Sequence, residues 1–412
     1  MKAPCQNYTE IKNSPSHCLP LRGRWRCNRR KESAAAPSRR EPYTKQAEGV
    51  NDAMKPVISG IQQIGVGIPD VNNAFKWYRE NLGFDVPIFD DPGVADRMLP
   101  YTGGIPQSRH AVLAINMQGG GGLEIWQYTS RQPQPPSFEP ELGDLGINAV
   151  KIKTQDIKKA YGLMTTSNVG IQGGIEKTPD GIGSFFIKDP YGNVFQIEEN
   201  RNAFMKTDFA NGGVAGAIIG VSRMEAAVGF YKEILGYDDL IYDTEGIFPD
   251  LEPLAGGCCA MRRVLLGHKE PRKGAFSRMF GKTRIELVQA LDRKPRKIFE
   301  GRFWGDLGFI HLCFDIRGMA DMRELCRSKG CPFTVDSNPE TDDGKTGTFD
   351  MGDAAGCFAY AEDPDGTLIE FVEAHKIPIM KKLGLFLNMR KRNPEKPLPD
   401  WMLKTLKFSR KH

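Results

Sequence analysis

The chain has 412 residues, 40% apolar and 26% charged, with a formal net charge of +5, a composition that supports well-filled cores in two or three domains. No run of eighteen apolar residues is present and the opening MKAPCQNYTE lacks the apolar stretch of a secretory signal, so a helical membrane span is not expected and a cytoplasmic protein is. The nine cysteines include no C-x-x-C pair, which leaves neither a zinc ribbon nor a disulfide framework legible.

The net charge hides a division. Residues 1–53 carry eleven Lys and Arg against five acids, residues 376–412 carry eleven against two, and the body between them is left at −10. Positive charge confined to the two ends describes solvated tails better than a nucleic-acid-binding face. Residues 1–55 are poor in periodic apolar positions and read as a disordered basic leader.

In chain order, the first regular element is a strand at 63–68, where Ile64, Val66 and Ile68 share one face and Gln63, Gly65 and Gly67 the other. A helix follows, with Asp70 as its N-cap, Val71, Phe75, Tyr78 and Leu82 at helical spacing, and Gly83 as its stop. Several strands come next, among them LEIWQYTSRQP at 123–133. A second strand, helix and strand set begins near 147 and closes on DPYGNVFQIEEN at 189–200.

From 214 the pattern recurs. VAGAIIGVSRMEAAVGFYKEILGY (214–237) is similar to IQQIGVGIPDVNNAFKWYRENLGF (61–84), with Tyr231 over Tyr78. IELVQALDRKP (285–295) is similar to LEIWQYTSRQP, pairing Glu286 with Glu124, Gln289 with Gln127 and Arg293 with Arg131, and GDLG occurs at 143–146 and 305–308. EDPDGTLIEFVEAHK (362–376) repeats the DP-x-G strand with Glu370 where the earlier copy has Gln196. The chain is therefore an α+β duplication of four βαβββ units, at about 58–133, 143–201, 212–295 and 305–374. Beyond them, 376–412 mixes Ile, Leu, Phe and Trp with lysines, and prolines at 394, 397 and 399 break any long helix. A membrane-surface segment and an arm packed on the body are both open, and packing is expected.

Four units in this order, two of them with a strand and helix ending in WY or FY then LGF or LGY (61–84 and 214–237) and two closing on DP-x-G strands (189–200 and 362–376), resemble the vicinal oxygen chelate superfamily of glyoxalases, extradiol dioxygenases and resistance proteins. The resemblance covers about 56–375. It implies βαβββ modules paired into two curved open-barrel sheets, each with a concave face able to bind a divalent metal. The expected organisation is a leader (1–55), modules one and two (56–205), modules three and four (206–375) and a basic arm (376–412).

The same resemblance places metal ligands on the first and last strands of each module. The positions are Gln63 and Glu124, Ala149 and Gln196, Gly216 and Glu286, and His311 and Glu370; Ala and Gly cannot ligate. Alternation agrees with an inward aim for the polar candidates: Glu124, Trp126 and Tyr128 lie opposite Leu123 and Ile125, His311 lies opposite Ile310 and Leu312, and Glu370 sits between Ile369 and Phe371. Two pairings are open. If neighbours pair, Glu286, His311 and Glu370 form a three-ligand site in modules three and four. If module one pairs with four and two with three, Gln63, Glu124, His311 and Glu370 form one full set and the other site is empty, which is the expected arrangement.

One imidazole nitrogen with three oxygens suits a single Zn, Ni, Co, Mn or Fe(II) ion. The resemblance then implies a lyase or isomerase of the glyoxalase type, in which an enediolate forms from a small oxygen-chelating substrate and Glu370, or Glu124, moves a proton. Trp126 and Tyr128 would give the pocket an aromatic wall or serve ordinary strand packing, and Arg131 and Arg293 are candidates to meet an anionic substrate, although turn or surface roles are the more expected ones for both. Whether glutathione is involved stays open, because Gly67, Tyr128 and Leu307 stand where the glutathione-binding residues of glyoxalase I would be and none matches. Two alternatives remain open. One is an extradiol-type dioxygenase on modules three and four, although that branch uses two histidines and Gly216 stands where the second would be; the other is a resistance-type protein that sequesters a ligand. A monomer is compatible with four modules pairing inside one chain.

Overall fold

The computed structural model describes residues 55–167, 169–337, 349–350, 355–380 and 385–411. Apart from Lys55, the expected leader lies outside them.

Four βαβββ modules follow one another. The first comprises β1 (Val57–Gly67), α1 (Val71–Leu82), β2 (Val86–Ala95), β3 (Gln107–Ile115) and β4 (Gly122–Tyr128). The second comprises β5 (Gly146–Thr154), α2 (Ile157–Thr166), β6 (Gly170–Lys177), β7 (Gly183–Lys188) and β8 (Val194–Glu199). The third comprises β9 (Asn211–Gly220), α3 (Met224–Glu233), β10 (Asp239–Gly246), β11 (Met261–Gly267), the short α4 (Ser277–Phe280) and β12 (Arg284–Ala290). The fourth comprises β13 (Gly308–Arg317), α5 (Met319–Ser328), β14 (Val335–Asp336), β15 (Phe349–Asp350), β16 (Ala355–Glu362) and β17 (Leu368–Met380); β18 (Leu385–Asn388) and α6 (Asp400–Lys404) close the chain.

Local chemistry sets the helix ends. Asp70 accepts a hydrogen bond from the Asn73 amide at 3.0 Å, and Gly83, at φ +77°, turns the chain out of α1 while its N–H returns to Arg79. The repeated glutamines serve the same ends: Gln127 accepts from the Val71 amide at 2.9 Å and Gln289 from the Met224 amide at 3.3 Å, so each last strand satisfies an orphan donor of its own module's helix.

The strands form two curved sheets. Sheet A runs β14-β16-β17-β13-β1-β4-β3-β2 and sheet B runs β10-β11-β12-β9-β5-β8-β7-β6. Module one thus shares a sheet with module four, and module two with module three. Neither sheet is confined to 56–205 or to 206–375. Ile64, Val66, Leu312 and Phe371 from sheet A join Val150, Ile152 and Ile219 from sheet B in one apolar core that the helices also enter. Burial of this common face is the main stabilising term of the fold.

Two motif tyrosines tie the sheets together through that core. Tyr78, on sheet A's side, donates to the Asp189 carboxylate of module two, and Tyr231, on sheet B's side, donates to Asp363 of module four at 3.1 Å. Each Asp also accepts two backbone amides of its own DP-x-G turn, from Tyr191 and Asn193 and from Asp365 and Thr367. Tyr78→Phe leaves a buried carboxylate one donor short and is expected to cost about 1–3 kcal/mol, read from urea unfolding of the full chain. An unchanged unfolding midpoint would show that the tie carries no stability.

The described part of the C-terminal segment packs on the body. Met389, Leu398 and Leu403 are buried with Ile115, Met279 and Phe280, and Arg410 pairs with Asp85 at 2.5 Å. No helix among the described residues is long and apolar enough to cross a membrane.

Candidate metal centre

Four adjacent strands at the middle of sheet A, β4, β1, β13 and β17, each turn one polar side chain to the concave face. Their neighbours Leu123, Ile125, Leu312, Ile369 and Phe371 turn to the core, as strand alternation requires. Register brings the polar residues together: Gly65 lies opposite both His311 and Glu124, and Cys313 lies beside Glu370. His311 Nε2 is 3.1 Å from Glu370 Oε2 and 3.3 Å from Glu124 Oε2, and Gln63 Nε2 donates to Glu124 Oε2 at 3.3 Å. A side chain at Gly65 would collide with the His311 imidazole, so the close approach of β1 requires glycine there.

The donor atoms of this cluster are short of partners. His311 is fully buried, yet neither ring nitrogen has a well-formed hydrogen bond, and Glu370 Oε2 and Gln63 Oε1 are likewise buried without one. Orphaned lone pairs on one nitrogen and several oxygens, facing one another, fit a divalent cation. Burial opposes an imidazolium at His311, but the Glu370 and Glu124 carboxylates outweigh it and push its pKa up to about 9.

A pH dependence follows. Divalent-ion affinity is expected to rise about tenfold per pH unit up to about 9, because the ion must displace the His311 proton. Without metal the sign is opposite: a pKa raised from 6.5 to about 9 gives stability that is full below about 6.5 and is lost as pH rises through about 9. Thermal unfolding at pH 6 and 9, with and without a divalent ion, checks both; a metal-induced shift independent of pH would contradict them.

Aromatic rings enclose the cluster. Trp304 stacks on His311 with centroids 6.2 Å apart and planes 10° apart, and Tyr360 meets the same imidazole edge-on at 5.6 Å. Trp126 packs against Trp304 at 4.8 Å and Tyr128 at 4.6 Å, and the Tyr128 hydroxyl donates to the Trp304 carbonyl. Trp126 and Tyr128 are thus buried and connect to the cluster through Trp304. Trp304 and Tyr360 were not singled out from the sequence. The signal for Trp304 was its place just ahead of the second GDLG, where the first copy has Leu142; for Tyr360 it was an aromatic on the strand paired with the Glu370 strand.

The two repeated arginines are engaged in loops. Arg131 pairs with buried Asp306 at 2.5 Å and lies over the Tyr128 and Phe303 rings, while Arg293 pairs with buried Asp144 at 2.6 Å. Each Asp belongs to a GDLG copy and also accepts backbone amides, Gln134 and Phe303 for Asp306, Glu141 and Arg296 for Asp144. Both guanidiniums thus pair with a buried loop carboxylate.

Sheet B answers the same geometry differently. Lys151 lies opposite Gly216 and beside Gln196, as Cys313 lies opposite Gln63 and beside Glu370. Its ammonium donates to Gln196 Oε1 at 2.5 Å and to Glu286 Oε2 at 2.8 Å. Arg263 and Tyr242 take the other oxygen of Glu286 at 2.7 and 2.8 Å, and Arg263 also holds Asp250. Burial alone would raise the Glu286 pKa, but Arg263 and Lys151 hold it well below the usual carboxylate range. The second concave face is thus occupied by a fixed cation instead of being empty, and Glu286 is separated from His311 and Glu370 by lying on the other sheet. Lys151, two residues beyond Ala149 on the same face, was the residue missed.

A further close group, Cys357, Glu373 and His375, has its donors engaged. Glu373 binds Arg317 at 2.8 Å and the Gly318 and Met319 amides, and His375 Nδ1 faces Arg390 at 2.9 Å.

The profile of the Glyoxalase/Bleomycin resistance protein/Dioxygenase superfamily matches residues 60–197 and 213–371. The chain belongs to that superfamily. Both matched stretches span two modules, and the members of this superfamily typically bind a divalent metal, a property the sheet A donors suit. Among solved structures, glyoxalase I from Zea mays is similar at 13% identity and a TM-score of 0.47, over 76% of this chain and 92% of that one. A putative dioxygenase from Bacillus subtilis is similar at 15% identity and 0.48, over 78% and 86%. The Mn(II)-bound glyoxalase from Novosphingobium aromaticivorans is similar at 12% and 0.25, over 84% and 88%. No curated protein sequence matches. The superfamily assignment rests on the profile match, and the activity has to be argued from the site.

Proposed function

We propose that this superfamily member is a metal-dependent lyase or isomerase of the glyoxalase type, acting on a small substrate with two adjacent oxygens. The observation that carries the reading is the meeting of Gln63, Glu124, His311 and Glu370, with orphaned donor atoms, inside an aromatic enclosure. Those four residues would hold the ion, whose chemistry is Lewis-acid polarisation of the substrate oxygens. Glu370 would move a proton between substrate carbons, with Glu124 as the second carboxylate; a proton taken at one carbon and returned to its neighbour through an enediolate is an isomerisation. Trp126, Trp304 and Tyr360 exclude water, which protects such an intermediate. The buried indole N–H groups of Trp126 and Trp304 have no acceptor, which supports a substrate rich in oxygen.

The dioxygenase alternative has less support. It needs two histidines and one carboxylate with open positions, whereas the sheet A cluster has one histidine and two carboxylates, and the Glu286 version is split between sheets. The reading is tested by incubating metal-loaded protein in D2O with α-hydroxycarbonyl compounds and with thiol adducts of 2-oxoaldehydes. Deuterium at the α-carbon, lost in Glu370→Gln, is expected; oxygen uptake with catechols and no exchange would favour the dioxygenase.

A further inference from the structure

Away from the metal centre lies a cleft of about 350 Å³, between Lys153 of β5, the 202–204 segment, the His268–Arg272 loop, α4 and the Gly281-Lys282 turn. Four cations line it, Lys153, Arg272, Arg278 and Lys282, and no carboxylate does. Asp400 reaches Arg278 from outside at 3.1 Å. Arg272 is held by the Leu235 carbonyl at 2.6 Å and lies over the Tyr237 ring, yet its Nε is buried with no acceptor. His268 adds no charge, since burial lowers its pKa to about 4 and its ring nitrogens meet the Glu270 carbonyl and the Thr283 amide.

Lys153 decides what the cleft is for. The residue is 4% exposed, and its side chain makes no hydrogen bond or ion pair among the described residues. Lys151, two positions earlier on the same strand, is equally buried but fully paired. Lys153 is largely withdrawn from water, and this desolvation lowers its pKa to about 8. An anion entering the cleft would supply the missing partner and receive charge-assisted hydrogen bonds from Lys153, Arg272 Nε and Lys282.

We propose that this cleft is a second ligand site, which binds the phosphate group of a small organic phosphate. Cations left over after Asp400 takes Arg278 favour a dianion over a carboxylate. Phe204, Pro271 and Met279 offer an apolar wall for the organic remainder, and the volume lies within the range of small-molecule sites. The inference stands independently of the activity proposed for the metal centre, as no lining residue belongs to that centre.

Inorganic phosphate is the probe, with sodium acetate and sodium chloride at matched ionic strength as the other arms. It is titrated into the full chain at millimolar concentrations, below those of general salting effects, with thermal unfolding as the readout. Phosphate is expected to raise the midpoint in a saturable manner, acetate less and chloride not at all. Lys153→Met is expected to weaken phosphate at least about tenfold while keeping or raising the midpoint without phosphate, because it removes an unpaired charge. Lys282→Glu, on the exposed rim, is expected to weaken phosphate without changing the basal midpoint, and it decides the matter should Lys153→Met fail to fold. Phosphate and chloride acting alike, or variants that keep the full phosphate response, would overturn the proposal.

Discussion

Glu286→Gln is expected to destabilise the protein by about 3–5 kcal/mol and to leave divalent-ion affinity at the wild-type value. Glu286 is fully buried and compensates two cations at once, the Lys151 ammonium on one oxygen and the Arg263 guanidinium on the other. The glutamine keeps the volume but removes the charge, so Lys151 is left with the Gln196 carbonyl and a Glu198 carboxylate at 3.6 Å that already serves Arg284 at 2.7 Å. Lys151→Met should cost less, because Glu286 then keeps Arg263 and Tyr242. Urea unfolding and metal titration of the same samples separate the two effects. A Glu286→Gln protein of normal stability that no longer binds metal would mean that Glu286 serves the metal and that the sheet A reading is wrong.

His311→Ala and Gln63→Ala are expected to weaken one and the same metal site, although 248 positions separate them. They stand on the paired strands β1 and β13, and both lie within reach of Glu124. Loss of outer-shell support for a metal typically costs about 10- to 100-fold in affinity, and loss of a direct donor should cost at least that much. His311→Ala should be the larger effect, since it removes the single nitrogen donor and the ring on which Trp304 stacks. Calorimetric titration with Ni(II) or Mn(II) checks both. Unchanged affinity in Gln63→Ala alone would reduce the donor set to Glu124, His311 and Glu370.

The duplication was legible because motif residues recur with their neighbours: Tyr78 with Tyr231, Gln127 with Gln289, Asp189 with Asp363. Strand alternation gave the face of each candidate correctly, since which face is core depends only on local pattern. Which modules share a sheet does not follow from periodicity, and only the sorting of losses among the ligand positions favoured the pairing that sheets A and B display. Arg131 and Arg293 show the limit of a repeat: their recurrence was plain, but their partners Asp306 and Asp144 lie in loops 175 and 149 positions away. Lys151 was hidden for another reason. Position-by-position comparison puts Ala149 opposite the His311 role, while a long side chain two residues further on the same face reaches the same space. Trp304 sits in a loop, where no period marks an inward side chain.

The central claim is that this chain has one working metal centre, on sheet A, and that a lysine occupies the equivalent place on sheet B. Elemental analysis of the purified full chain after reconstitution with Ni, Mn, Zn and Fe(II) tests it most directly. About one divalent ion per chain is expected, lost in His311→Ala and retained in Glu286→Gln. Two equivalents per chain, or none with any of these ions, would contradict it.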